Sequence, residues 1–446
     1  MVKRTRIVIV GAGFGGIAVA KRLAGCEADV TLIDRRNYHL FQPLLYQVAT
    51  ADLSPADIAW PIRGLFTRDR NIAVVLSEVA DIDKSAREVL AGGRRYPYNF
   101  LILATGSSNS YFGHPEWESH APGLKRIIDA TEIRKRILLA FEQAEIAEDP
   151  AEQRRLLNFV VIGGGPTGVE MAGAIAELAR VALARDFRRI DPKAARIVLA
   201  EAGERLLAGF APHLSDYARR CLEKLGVEIK LGQPVQDVND AGVRIGETFV
   251  PAATVIWAAG VKVDGPGKWL GVETDRGGRL AVAPDLSVPD HPDIFVVGDA
   301  AQVVWEGARL VPGLAPAAKQ EGRYVADVIR ARIENRVPPP AFRYRHAGSL
   351  ATIGRNAAVV DFGGQLTLKG RLAWWFWGLV HIYFLINTRA ATLVMLQWFW
   401  VYLTRKKGAR LITGLRPLSA GSATAPDAKS PQRDECRINP ADSRSS

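Results

Sequence analysis

The chain has 446 residues, 48% of them hydrophobic and 24% charged, with a formal net charge of +11. That length accommodates two or three domains with cores of their own and excludes a small stapled scaffold. Three widely spaced cysteines, Cys26, Cys221 and Cys436, exclude a disulfide framework and a cysteine zinc site, and point to a reducing compartment.

Lys3, Arg4 and Arg6 precede only four apolar residues, 7–10, before glycine interrupts, a run too short for an export segment. Those four predict a strand. It leads into Gly11-Ala12-Gly13-Phe14-Gly15-Gly16, which opens a predicted helix to about Ala24. Residues 29–34 read as the next strand, so Asp34 ends a βαβ unit 23 residues after Gly11. Short alternating runs over 71–90 suit antiparallel strands, and residues 100–104 read as a buried strand closed by Thr105-Gly106. A helix over 131–148 connects to a second apolar run, 159–162.

That run enters Gly163-Gly164-Gly165-Pro166-Thr167-Gly168, with a helix predicted to about Arg185 and a strand over 197–201. Glu201 ends it, 33 residues after Gly168, a long interval in which 185–193 reads as an inserted turn. Residues 255–260 and 294–299 are further buried strands. The second ends in Gly298-Asp299, at the strand terminus where open α/β sheets bind ligands. A helix over 315–334 precedes a break at Pro338-Pro339-Pro340, and the composition beyond Pro417 predicts disorder.

Glycine in such loops permits close approach: backbone N–H groups and the positive end of the following helix meet a pyrophosphate that any Cβ would obstruct. The acid ending the next strand accepts hydrogen bonds from a ribose. Asp34 fills that place in the first unit and Glu201 in the second. A carboxylate there repels a 2′-phosphate, so Glu201 favours NADH over NADPH, with Arg205 partly offsetting it. One glycine loop is weak evidence. Two, each between a strand and a helix and each followed by its acid, predict two dinucleotides in one chain, and with them electron transfer.

Between Lys369 and Arg416 lie eight Lys/Arg residues and no acid, together with five of the ten tryptophans. The apolar stretches 373–386 and 390–403 have 14 residues each, short of the ~20 that span a bilayer. Tryptophan at a headgroup boundary and the cations Arg405, Lys406, Lys407 and Arg410 predict helices lying on an anionic lipid surface rather than on nucleic acid. A core helix pair or a homodimer interface is the alternative, and His381 reads as a packed histidine.

Three segments carry a resemblance: DRRNYHLFQPLLYQVAT at 34–50, TVIWAAGV at 254–261 and VVGDA at 296–300. With the basic aromatic C-terminus they resemble the type II NADH dehydrogenases over roughly residues 5–416. The resemblance implies a non-proton-pumping NADH:quinone oxidoreductase, peripheral on the cytoplasmic face of the inner (plasma) membrane. It carries non-covalent FAD, needs no metal, and passes a hydride from NADH to the flavin and two electrons to a membrane quinone. The implied fold is α/β: two Rossmann-like dinucleotide-binding domains, the FAD domain discontinuous with the NADH domain inserted, plus an amphipathic C-terminal membrane-surface segment. Its divisions fall at 1–115 and 286–345 (FAD), 156–285 (NADH), 346–416 (membrane association) and 417–446 (disordered tail).

By the same resemblance FAD meets Gly11, Gly13, Gly16, Asp34, Arg35, Ala104, Gly106, Gly298, Asp299 and Ala315. NADH meets Gly163, Gly165, Thr167, Gly168, Glu201 and Gly260. Glu170, read onto the first turn of the second loop's helix, lies near the nicotinamide and the flavin. The family's quinone-side motif AQxAxQ reads Ala315-Pro316-Ala317-Ala318-Lys319-Gln320 here, leaving Gln320 as the quinone-side polar group. Sulfide:quinone reductases and the disulfide reductases share the architecture but need paired cysteines that this chain lacks. The alternative function is an NADH-binding flavoprotein with another acceptor or a signalling or partner-binding role.

Overall fold

The computed structural model describes residues 4–413 apart from 306, 308, 364, 365, 386, 387, 405 and 406. The first glycine unit builds a six-stranded sheet in the order Ser287–Val288, His291–Val296, Phe100–Leu103, Thr5–Val10, Ala28–Asp34, Ile72–Leu76. All neighbours run parallel except the edge pair of Ser287–Val288 with His291–Val296. A parallel sheet covered on both faces selects continuous apolar strands, and Ile7, Ile9, Leu32, Ile33, Leu101, Ile102 and Phe295 are all fully buried here. Strand His291–Val296 returns from late in the chain to close against Phe100–Leu103. The sheet is therefore made by two chain segments with the second glycine unit between them.

The second unit forms a four-stranded parallel sheet in the order Val227–Leu231, Arg196–Glu201, Asn158–Ile162, Thr254–Trp257. In both sheets the strand entering the glycine loop is internal, and the strand ending in the acid lies beside it. Both loops therefore open at the carboxyl ends of their strands, where α/β sheets bind nucleotides.

Two expected elements differ. Ile72–Leu76 pairs in parallel with Ala28–Asp34 rather than antiparallel. An edge strand buries only one face, so its alternation imitates that of an antiparallel strand. The antiparallel sheet comes just after it, as Val79–Asp83, Glu88–Ala91 and Arg94–Pro97. The helix after the second loop, Pro166–Glu177, ends earlier than its apolar pattern implies. It widens into a π-helical turn, Leu178–Ala182, sealed by the Leu183 N–H donating to the Leu178 carbonyl at 2.9 Å. The inserted turn follows, ending in a short 3-10 segment, Pro192–Ala194.

Near the C-terminus a three-stranded antiparallel sheet, Ser349–Thr352, Ala358–Asp361 and Thr367–Gly370, carries helices Arg371–Phe384 and Thr388–Thr404. No described helix is long and apolar enough to cross a membrane. Ala373, Trp377 and Val394 anchor this pair on the core. Leu372, Leu379, Tyr383, Phe399, Trp400 and Leu403 are exposed, an apolar surface of the kind that marks an interaction face. The expected cationic fringe is corrected in part. Lys407 is buried in an ion pair with Asp52 at 2.8 Å, and Arg410 is paired with Asp186, so both neutralise the protein's own acids. Arg405, Lys406 and the tail 417–446 lie outside the described residues.

Candidate functional site

The two glycine loops are superimposable in their logic. Gly11 and Gly163 hold φ of +101° and +112°, and a Cβ on either would fall 2.3 Å from the Ala104 carbonyl oxygen or 2.6 Å from that of Ala258. A Cβ on Gly16 or Gly168 would lie 1.8 or 1.7 Å from the carbonyl oxygen of Gly11 or Gly163, so helix and loop meet only through glycine. Gly13 and Gly165 face open space, with nothing within 4 Å of a Cβ. Tight turn, open approach and close helix packing are the three glycine roles of a pyrophosphate cradle.

Each acid clamps its own loop. Asp34 accepts from the Ala12 N–H at 2.6 Å and the Arg36 N–H at 2.7 Å. Glu201 accepts from the Gly164 N–H at 2.5 Å and the Gly203 N–H at 2.7 Å. These bonds fix the carboxylate beside the cradle while leaving lone pairs for a ribose hydroxyl. The Arg205 guanidinium is bonded to the carbonyls of Phe210 and Ala208.

A cavity of about 510 Å³ opens along the first loop. Gly11, Gly13, Asp34, Arg35, Ala104, Gly106, Gly298, Asp299 and Ala315 line it, and Gly16 packs directly beneath Gly11. Thr167 of the second loop is in the same wall, so one cavity draws on both nucleotide units. At the Gly298-Asp299 corner, Ser107 Oγ donates to Asp299 at 2.5 Å and Lys125 Nζ donates to Ser107 at 3.1 Å. Burial holds the Lys125 ammonium below its usual pKa, with Asp299 opposing. Below the corner the buried Glu321 accepts from the Gly298 N–H at 2.5 Å, and burial pushes its carboxyl up to about 7. The bare cradle and this volume fit a dinucleotide with a fused-ring head, as FAD has.

Gly163, Gly165, Gly168 and Glu201 gather at the second loop, whereas Gly260 stands two residues beyond Ala258 with the Phe112 ring against it. Glu170 is not on the first helical turn. It is the fifth residue of Pro166–Glu177, past the reach of the helix-end field. Burial dominates instead and pushes its carboxyl up to about 8, opposed only by the Thr352 N–H donated at 3.3 Å. It lies in the wall of a second cavity, about 110 Å³, with Tyr46, Gln47 and Thr352 and with Trp374, Trp377, Trp398 and Tyr402 of the C-terminal helices.

Gln320 is not brought to either cavity. Its amide is used at both ends by the Arg345 backbone, donating at 2.9 Å and accepting at 3.0 Å. Ala315 and Ala318 are the residues this helix presents to the large cavity. Lys319 lies between the rings of Phe14 and Phe384, 5.2 and 4.8 Å from their centroids, and burial lowers its ammonium to about 8. His381 is packed, donating to the Trp377 carbonyl at 2.8 Å and lowered to about 4 by burial.

Residues 5–322 match the family model for pyridine nucleotide-disulphide oxidoreductases, and residues 346–407 match that for the NDH2 C-terminal domain. The chain is 42% identical over 426 residues to the type II NADH:quinone oxidoreductase Ndh of Mycobacterium tuberculosis, covering 92% of this chain and 91% of that one. The chain belongs to the type II NADH:quinone oxidoreductase family. The Staphylococcus haemolyticus member is 30% identical, over 82% of this chain and 92% of its own. Among solved structures, NDH2 of Plasmodium falciparum in complex with NADH shares the fold at a TM-score of 0.82 and 22% identity, over 90% of this chain and 99% of that one.

The sulfide:quinone oxidoreductase of Aquifex aeolicus shares the fold at a TM-score of 0.71 and 20% identity, over 87% of this chain and 92% of its own. In this family member Cys26 is buried in the core of the first unit and Cys221 is half-buried on helix Pro212–Lys224; neither lines the cavities just described. Sequence reasoning missed Ser107, Lys125 and the Tyr46, Gln47, Thr352 group. Tyr46 and Gln47 lie inside the resemblance segment 34–50, which was their available signal. Ser107 and Lys125 have none, because only folding brings them to Asp299.

Proposed function

We propose that the large cavity holds FAD along the first loop and that NADH crosses the second loop with its nicotinamide directed into the same cavity. The activity is that of a non-proton-pumping NADH:quinone oxidoreductase, with FAD as cofactor and NADH as electron donor. The observation carrying this reading is that Thr167 of the second loop stands in the wall of the cavity along the first, since hydride transfer needs the two rings in contact. Bound flavin supplies the two-electron relay between pyridine nucleotide and quinone.

The residues supply position and protons. Asp34 and Glu201 orient the two riboses, and the Lys125, Ser107, Asp299 series fixes the corner at Gly298. Glu170 keeps its proton at neutral pH and holds it at the wall of the aromatic cavity, where quinone entering between the C-terminal helices meets it. Gln320 has no part in this reading. The exposed face of these helices rests on the membrane, at the cytoplasmic face, through aromatic and aliphatic side chains more than through the paired cations. The domain divisions read from the sequence belong to the same proposal.

The test follows NADH consumption by detergent-purified, FAD-loaded protein with a water-soluble quinone. Quinone-dependent oxidation of NADH supports the reading. NADH oxidation indifferent to added quinone would sink its acceptor half, and vesicle flotation of the same preparation tests the membrane half.

A further inference from the structure

We infer that Phe112 positions NADH: its ring forms the outer wall against which the nicotinamide half of the dinucleotide packs. This rests on the reading that NADH lies on the second glycine loop.

Phe112 occupies a backbone conformation that bulky residues avoid. Its φ is +51°, that of Gly113 is +98°, and the His114 N–H donates to the Tyr111 carbonyl at 3.0 Å. This is a turn with positive φ at both central residues, the setting for Asn-Gly rather than Phe-Gly. The strain is not relieved by burial, because Phe112 is 67% exposed. A strained position carrying an exposed aromatic ring motivates a search for what the ring meets.

It meets Gly260. A Cβ on Gly260 would fall 2.3 Å from the tip of the Phe112 ring, which therefore rests on the backbone of a glycine whose own φ is +72°. The segment around the turn is laced to the second unit. Ser108 and Asn109 pair antiparallel with Lys262 and Val261, the Ser110 N–H donates to the Gly260 carbonyl at 3.3 Å, and Trp257 Nε1 donates to the Ser110 carbonyl at 2.9 Å. The segment that carries the turn is therefore fixed to the second unit, with the ring tip against the Gly260 backbone.

Position supplies the ligand. Ala258 and Ala259 abut Gly163 of the nucleotide cradle, whereas Ser108, Asn109 and Lys262 line the large cavity. Gly260 lies between. A dinucleotide that leaves the second cradle and reaches the large cavity runs along this track and passes beside the Phe112 ring. The half that makes this crossing is the nicotinamide riboside, since Glu201 holds the adenosine side at the other end of the cradle. A flat apolar ring held against it narrows the poses in which the nicotinamide faces the flavin.

The discriminating variant is Phe112→Asn, because asparagine suits the turn and removes the ring. Flavin bleaching in rapid mixing with NADH reads binding and hydride transfer in the holoenzyme. The expected result is a thermal midpoint equal to or above wild type and an apparent NADH affinity about tenfold weaker, the scale of one lost ring contact. The quinone KM stays unchanged, and Phe112→Trp restores NADH affinity. Unchanged NADH affinity in Phe112→Asn overturns the inference. So does a parallel rise of both KM values with a lower thermal midpoint, the mark of a purely structural residue. Wild-type holoenzyme that NADH fails to bleach overturns the reading beneath it as well.

Discussion

The two nucleotide loops share a backbone device and differ in how far the protein closes around it. Glycines at matching places turn, open and pack, and in each an acid accepts one N–H of the loop and one N–H of the turn that follows the acid. Around the first loop Asp34 is buried and Phe14 packs edge-on against His39 and Phe41. His39 donates to the Ala12 carbonyl at 2.9 Å, and burial lowers it to about 4, so it stays neutral at working pH. Around the second loop Pro166 and Thr167 are exposed and Glu201 is half-exposed. On the proposed assignment the more enclosed cradle retains a resident cofactor and the more open one exchanges a substrate every turnover.

The sharpest break of this comparison places one substitution in both loops. Gly16→Ala and Gly168→Ala create the same backbone clash, 1.8 and 1.7 Å. Gly16→Ala is expected to yield protein without bound flavin, seen in its visible spectrum. Gly168→Ala is expected to purify yellow while its NADH KM rises roughly a hundredfold, because the cradle no longer closes. Flavin loss from both variants, or from neither, would remove the proposed division of labour.

A milder contrast uses the acids. Asp34→Asn is expected to slow FAD reconstitution and leave the NADH KM of loaded enzyme unchanged. Glu201→Gln is expected to raise the NADH KM about tenfold and narrow the preference over NADPH, since a neutral amide no longer repels a 2′-phosphate. Steady-state kinetics with both nucleotides reads this directly.

The smallest effect on activity at neutral pH belongs to Glu170. Its folded pKa of about 8 lies above the ordinary 4.5, so the folded state binds more protons than the unfolded state between those values. Its contribution to stability is complete below 4.5 and is lost as pH rises through 8, by at most about 5 kcal/mol. Glu321, raised to about 7, contributes in the same direction. Glu170→Gln is expected to lessen the fall in thermal midpoint between about pH 6.5 and 8.5, above the range in which His39 and His381 titrate, and to remove an activity limb near pH 8. A profile identical to wild type would place the titration elsewhere.

Much of the fold was legible because it is locally encoded. Apolar runs ending in glycine or in an acid are strands of parallel sheets, and both loops were readable down to the individual glycine. The late strand ending in Gly298-Asp299 was readable for the same reason. What escaped depended on partners distant in sequence. Gln320 sits in a motif, yet its amide serves the Arg345 backbone, and that bond exists only after the chain has folded back. Lys407 counts as a cation in composition, yet Asp52 neutralises it from 355 residues away. Glu170 looked like a helix-start acid because its helix begins two residues before Gly168, and because burial, which sets its protonation, has no local signature.

The most direct measurement mixes yellow, FAD-loaded protein anaerobically with one equivalent of NADH, then adds a quinone, and records the flavin absorbance. The account predicts bleaching on NADH and full recovery on quinone. A spectrum that NADH leaves unchanged, in protein shown to bind NADH, would contradict the claim that the two loops serve one cavity.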